Sequence, residues 1–135
     1  MLQSIKKRLK DQRGLTLIEL LAVIVILGII AAIAIPSINS VMDKSREDAI
    51  KADAKLILNA AKLYEANGNE IPTAGVTSAD LETDYLEGVS TFTGTDAVAY
   101  TVTKESGGLA ISGTGVKGKM KVVFDKTLLS GIDGL

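Results

Sequence analysis

A run of 21 residues, from position 15 to position 35, holds a single ionisable side chain, Glu19, and from Leu20 onward reads LLAVIVILGIIAAIAI with no polar side chain. As a helix it would be roughly 31 Å long, close to the ~30 Å hydrocarbon core of a bilayer. Lipid offers no partner to backbone N–H and C=O groups, so a helix is the form such a segment takes when it spans a membrane. Lys6, Lys7, Arg8, Lys10 and Arg13 all lie on its N-terminal flank. That bias predicts a cytoplasmic N-terminus and an exported C-terminal body.

Charge divides the chain at the same place. Residues 1–14 carry those five bases against Asp11, a net of +4, within a chain whose total is −1. The remainder therefore carries a net of −5, and a basic end beside an acidic body does not suit a general nucleic-acid binder. At 135 residues the chain has room for one core. It has no Cys and no His. Thiolate chemistry and disulfide staples are thereby excluded, and the commonest general base and metal ligand are missing. The remaining Asp, Glu and Lys show no catalytic arrangement and no EF-hand-like spacing, so neither catalytic residues nor a cofactor or metal is expected.

Two features are foreign to a plain anchor. Glu19 stands one turn inside the apolar run, where an acid costs on the order of 2.5–3.5 kcal/mol near a helix centre and less toward the interface. Gly14 stands between the basic stretch and the first apolar residue. The sequence Arg13-Gly14-Leu15-Thr16-Leu17-Ile18-Glu19, then the apolar run, then Pro36, resembles the prepilin signature of type IV pilins, competence pilins and type II secretion pseudopilins. The resemblance is close over about residues 13–36. It implies cleavage by prepilin peptidase between Gly14 and Leu15, N-methylation of Leu15, and Glu19 as the assembly carboxylate. Members of the family most often start with Phe after cleavage, so Leu15 is a mild departure. The resemblance further implies a membrane pool that assembly machinery polymerises into a helical homo-oligomer on the cell surface. The lack of cysteine is similar to Gram-positive pilins, since many Gram-negative ones carry a C-terminal disulfide loop.

The physical logic stands without the family. Cleavage at Gly14 would create an ammonium group at Leu15, and Glu19 lies one helical turn on, along the same face. A carboxylate near a helix N-terminus meets the positive end of the dipole. An unpaired charge in a greasy core is expensive and a paired one much less so. Glu19 is thus expected to accept the amino terminus of a neighbouring subunit. Pro36 cannot donate to the carbonyl of Ala32, which predicts a kink. In similar proteins the helix between such a glycine and proline loses its form in the filament, which makes residues 28–36, from Gly28 to Pro36, the place for melting.

Two other readings compete for this segment. A secretory signal peptide would use Ala32-Ile33-Ala34 as its small-x-small cleavage site, releasing a small secreted binding domain. The apolar run exceeds the usual ~7–15 residues of such a signal and carries Glu19 near its start, which argues against it. An uncleaved single-pass anchor would leave Glu19 merely tolerated. A pseudopilin forming a short periplasmic piston remains the nearest alternative to a pilin.

Beyond Pro36 the pattern becomes amphipathic. Ile50, Ala54, Ile57, Ala61 and Tyr64 recur at helical spacing, with Ala49, Leu56, Ala60 and Leu63 widening the stripe. Asn67-Gly68 reads as a helix stop. These signals predict one helix over about 15–66, kinked near Pro36. Thr77-Ser78-Ala79-Asp80 has capping-box character and predicts a short helix carrying Leu81 and Tyr85. Val98, Tyr100 and Val102 alternate, as do Leu109 and Ile111 after a Gly107-Gly108 turn. Met120, Val122 and Phe124 alternate again after turn signals from Gly113 to Gly118. The fold class is therefore α+β, with the second half of the helix packed on a small antiparallel sheet of three or four strands. The expected organisation is a cleaved leader at 1–14, a hydrophobic membrane and filament-core helix at 15–36, and an exported headpiece at 37–135. Lys117, Lys119 and Lys121 fall on one face of the last strand by period-two spacing. Contact with DNA and a solvated edge strand guarded by lysines both fit that spacing; the absence of neighbouring aromatics favours the edge strand.

Overall fold

A computed structural model describes the backbone of residues 1–135 and the side chains of all but 11–13. Helix α1 spans Leu2–Ala66, 65 residues, and includes Pro36. The sequence predicts this helix from about residue 15, but residues 2–14 are helical as well. The Leu, Gln, Lys and Arg among them are good helix formers, with no breaker ahead of Gly14. The C-terminus obeys the expected signal. Gly68 takes φ +90°, which a glycine adopts without the Cβ penalty. The Asn67 N–H donates to the Leu63 carbonyl at 3.0 Å and the Asn69 N–H to that of Tyr64 at 3.3 Å. These bonds satisfy carbonyls that the helix end would leave orphaned.

The chain divides into two compact units, Met1–Val41 and Met42–Leu135. In the first, every large apolar side chain between positions 15 and 35 is at least 51% exposed. This stretch makes α1 long and apolar enough to cross a membrane.

The second unit is an α+β headpiece. After α1 come β1 (Val76–Thr77), α2 (Ser78–Leu81), β2 (Val98–Glu105), β3 (Gly108–Lys117) and β4 (Met120–Leu128), closed by a 3-10 turn over Leu129–Gly134. The sheet order is β1-β2-β3-β4, antiparallel throughout. Its inner face places Tyr100, Val102, Leu109, Ile111 and Phe124 in one core with Ile50, Ala54, Ile57, Leu58 and Ala61 of α1. Met120 and Val122 pack on that core from β4, in the alternation the sequence predicts.

Several details differ from the expected pattern. Leu56 and Leu63 do not widen the buried stripe: they are 50% and 59% exposed, while Leu58 is fully buried. In a helix this rich in Ala and Leu, apolar residues occur on every side, and the sheet covers only one. Val98 is also exposed, because a register shift between Val98 and Thr101 breaks the alternation that would have turned it inward. The stretch from Gly113 is not a turn until Gly118; residues 113–117 belong to β3. Gly115 sits where a Cβ would lie 2.3 Å from Ile50 Cγ2, so a strand reading GTGVK is what lets β3 lie against α1.

The capping box of α2 forms as the sequence predicts. The backbone N–H of Thr77 donates to Asp80 Oδ2 at 2.8 Å, and the Thr77 hydroxyl to the same oxygen at 3.1 Å. The connection from α2 to β2 is held on α1 at two points. Tyr85 meets Tyr64 edge-on, centroids 5.4 Å apart, and its hydroxyl accepts from Asn67 and Asn69. Buried Thr91 donates to Asp53 at 2.8 Å.

Candidate processing and assembly segment

Gly14, Leu15, Glu19, Gly28 and Pro36 all lie on α1, within the first compact unit. Arg13, the first residue of the signature, has its side chain outside the described residues. Helical geometry puts Leu15 and Glu19 one turn apart on the same face, roughly 5–6 Å between Cβ atoms. Glu19 is exposed on the helix surface amid Leu15, Ile18, Leu20 and Val23, each exposed as well. Apart from Glu19, the surface from Leu15 to Ile35 is free of ionisable groups.

In the full chain Glu19 is not near a helix end. The helix begins at Leu2, with no acid in its first turn, so Glu19 lies several turns inside and gains little from the dipole, which acts within the terminal turn. Scission at Gly14 would move the helix start to Leu15. The same cut would then supply an ammonium group and a set of unsatisfied N–H groups within a turn of the carboxylate. A helical glycine costs roughly 0.5–1 kcal/mol relative to alanine, and no neighbouring atom lies within 4 Å of where a Gly14 Cβ would stand. Gly28 is equally open, and the Ala32 carbonyl has no N–H to accept from at Pro36.

Lys117, Lys119 and Lys121 do not share one strand face. Lys117 ends β3, Lys119 lies in the turn and Lys121 is on β4, paired with Val116. All three are exposed, and β4 is an edge strand. What sequence spacing could not show is that this hairpin turns against Arg46 on α1, 72 positions earlier: a Cβ on Gly118 would lie 3.1 Å from Arg46 Nε. Among the described residues, no group of three or more His, Cys, Asp or Glu is placed to hold a metal.

A membrane-length apolar helix, a lone carboxylate one turn past a glycine, and a helix-on-sheet headpiece define a pilin-type subunit. The chain belongs to the prepilin-type family that includes the type IV pilins. Residues 9–35 match the family described as the prokaryotic N-terminal methylation motif. The type IV narrow pilus major component PilA5 of Thermus thermophilus is 36% identical over 84 residues, covering 62% of this chain and 72% of that protein. Type II secretion system core protein G of Pseudomonas aeruginosa is 38% identical over 64 residues, 47% of this chain and 45% of that protein. The corresponding protein of Escherichia coli strain K12 is 32% identical over 62 residues, 46% of this chain and 43% of that protein. The chain thus spans a little under half the length of these secretion-system relatives. No solved structure matches the chain.

Proposed function

We propose that the chain is the precursor of a structural subunit of a type IV pilus-like surface filament, non-enzymatic and polymerised through its N-terminal helix. Before assembly it is a single-pass membrane protein with its basic leader in the cytoplasm. Prepilin peptidase cuts between Gly14 and Leu15, and the new amino terminus of Leu15 is N-methylated. Assembly machinery then draws the subunit from the membrane into a helical homo-oligomer outside the cell. Glu19 accepts the ammonium of a neighbouring subunit, which makes its burial in the filament core tolerable and fixes axial register. The helix between Gly28 and Pro36 unwinds as the subunits pack.

The observation that carries this reading is the position of Glu19. It is the single ionisable side chain between positions 15 and 35, one turn beyond the scissile glycine. An anchor alone gains nothing from it. A second reading, a secretion pseudopilin, is supported by the likeness to core protein G over about 64 residues. The pilus reading is supported by a longer likeness, 84 residues, to a pilus major component.

The test is Glu19→Ala in the native host. The variant should insert in the membrane and be cut before Leu15, as read by mass spectrometry of the amino terminus. Sheared filaments should be absent. Normal filaments from this variant, or a mature terminus other than Leu15, would overturn the proposal. Long filaments on wild-type cells by electron microscopy would separate pilus from pseudopilin.

A further inference from the structure

The headpiece is acidic overall, yet its charge is sorted. Between positions 63 and 103 there are seven acids, among them Glu65, Glu70, Asp80 and Glu82, and no Lys or Arg. Lys62, Lys104 and Lys126 lie near that segment, Lys104 paired with Glu65 and Lys126 with Glu105, while another group of bases lies toward the opposite end of the headpiece part of α1. The β3–β4 hairpin carries Lys117, Lys119 and Lys121, all exposed, and no ion pair involves any of the three among the described residues. By contrast Arg46, Lys51, Lys55, Lys104 and Lys126 each have an acidic partner within 4 Å.

The tip of the hairpin lies close beside Arg46. Gly118 takes φ +62° at the tip, and its missing Cβ leaves room for the Arg46 side chain, whose Nε and Cζ would lie 3.1 and 3.3 Å from that atom. Arg46 in turn is held by Asp43 at 3.0 Å. The three lysines therefore sit against the turn of α1 that begins the headpiece, the turn that also bears Lys44. Asp43, paired with Arg46, Glu47, paired with Lys51, and Asp48 are the acids beside them, and none pairs with a hairpin lysine. The acidic segment starts about 30 Å further along the helix, at 1.5 Å per residue.

Eleven positions separate Arg46 from Ile35, where the apolar run ends. Even fully extended that tether reaches no more than about 40 Å. A membrane-inserted precursor thus keeps its basic hairpin within reach of the exported leaflet, and a weak electrostatic contact becomes intramolecular.

We propose that the Lys117–Lys119–Lys121 hairpin, seated on Arg46, docks the headpiece of the unassembled subunit onto anionic phospholipid headgroups of the membrane that holds its own helix. This rests on the membrane-pool stage of the function proposed above. Each lysine near an anionic surface strengthens binding about fivefold, so three give on the order of a hundredfold, screened by salt. Duplex DNA is the competing ligand. It is disfavoured because it lacks the tether and would meet an acidic body beyond the hairpin.

The chain has no cysteine, so Val123→Cys, on exposed β4 beside the hairpin, gives a unique site for a fluorophore. Full-length protein is reconstituted in vesicles of phosphatidylcholine, or of phosphatidylcholine and phosphatidylglycerol in equal parts, each with a trace of nitroxide-headgroup lipid. Flotation reports insertion, and quenching reports the height of the headpiece. The expected result is flotation with both vesicles and strong quenching only with the anionic ones. Molar salt and the K117Q/K119Q/K121Q variant should abolish the difference, and K117R/K119R/K121R should keep it. Equal quenching in both compositions, with normal flotation, would overturn hairpin docking and leave the anchor standing. Failure to float with either would remove both. Loss of duplex binding in the glutamine variant, without lipid-dependent quenching, would assign the hairpin to DNA instead.

Discussion

At the scale of single residues, the headpiece core is decided by a few close contacts. Gly115 is one of them. Gly115→Ala would drive a methyl into Ile50 Cγ2 at 2.3 Å and against Phe92 at 3.4 Å, and overpacking of this kind costs about 1–3 kcal/mol. Gly134→Ala, with nothing within 4 Å, is the control and should leave the midpoint of urea unfolding unchanged. Tyr100 is another. Burial, then the Glu82 carboxylate beside it, which accepts its hydroxyl at 3.3 Å, push the phenol above its ordinary value of about 10. The unfolded chain loses this proton first, so the folded state binds more protons above pH ~10 and stability falls as pH rises there. The contribution is complete below about pH 10. Tyr100→Phe should flatten the alkaline fall and cost about 1 kcal/mol at neutral pH, both read by unfolding at a series of pH values.

Elements were legible in the sequence to the extent that one period dominated them. The Ile50, Ala54, Ile57, Ala61 stripe, the Thr77–Asp80 cap and the inward Met120, Val122 and Phe124 alternation each lie where periodicity and turn chemistry put them. Three things were not legible, for physical reasons. Leu56 and Leu63 are as apolar as Leu58, and only the extent of the sheet decides which is covered. β1 is two residues long, too short to show a period, and exists because Val76 and Thr77 pair with Val102 and Thr101. The seat of the lysine hairpin depends on a contact between positions 46 and 118, which no local pattern encodes. The assembly segment is different: its residues were proposed from the resemblance of positions 13–36 to the prepilin signature and from the one-turn spacing of Leu15 and Glu19, both of which are properties of order along one helix.

The final turn shows how an element without periodicity is held. Leu129–Gly134 lays Ile132, fully buried, into the core, and two lysines of α1 pin the chain's last residues. Lys55 bonds Asp133 at 2.6 Å and Lys51 donates to the Leu135 main-chain oxygen at 2.7 Å. Ile132→Ala should cost about 2–5 kcal/mol, the range for emptying an aliphatic core site. Asp133→Asn removes an exposed pair and should cost no more than about 1 kcal/mol. Urea unfolding of both variants checks the order: if Asp133→Asn proved the costlier, the turn would be held by charge and not by burial.

On the scale of the whole molecule, the headpiece hides one side of α1 and leaves the other bare. Leu56 and Leu63, seven residues and two turns apart, stand exposed on the side away from the sheet. A monomer gains nothing from them, since the core is closed without their help. A subunit polymerising through α1 would cover them, extending toward the headpiece the contact that the residues before Pro36 begin. Leu56→Gln with Leu63→Gln should therefore shift monomer stability by no more than about 0.5 kcal/mol, as surface changes do. Membrane insertion and cleavage before Leu15 should proceed as in wild type. Filament yield should fall severalfold, counted as sheared protein and by electron microscopy, because each subunit would bury amides where leucines had made an apolar seam. A variant that lost stability as monomer would place the leucines in the core after all. One that kept both stability and filaments would confine polymerisation to the helix ahead of Pro36.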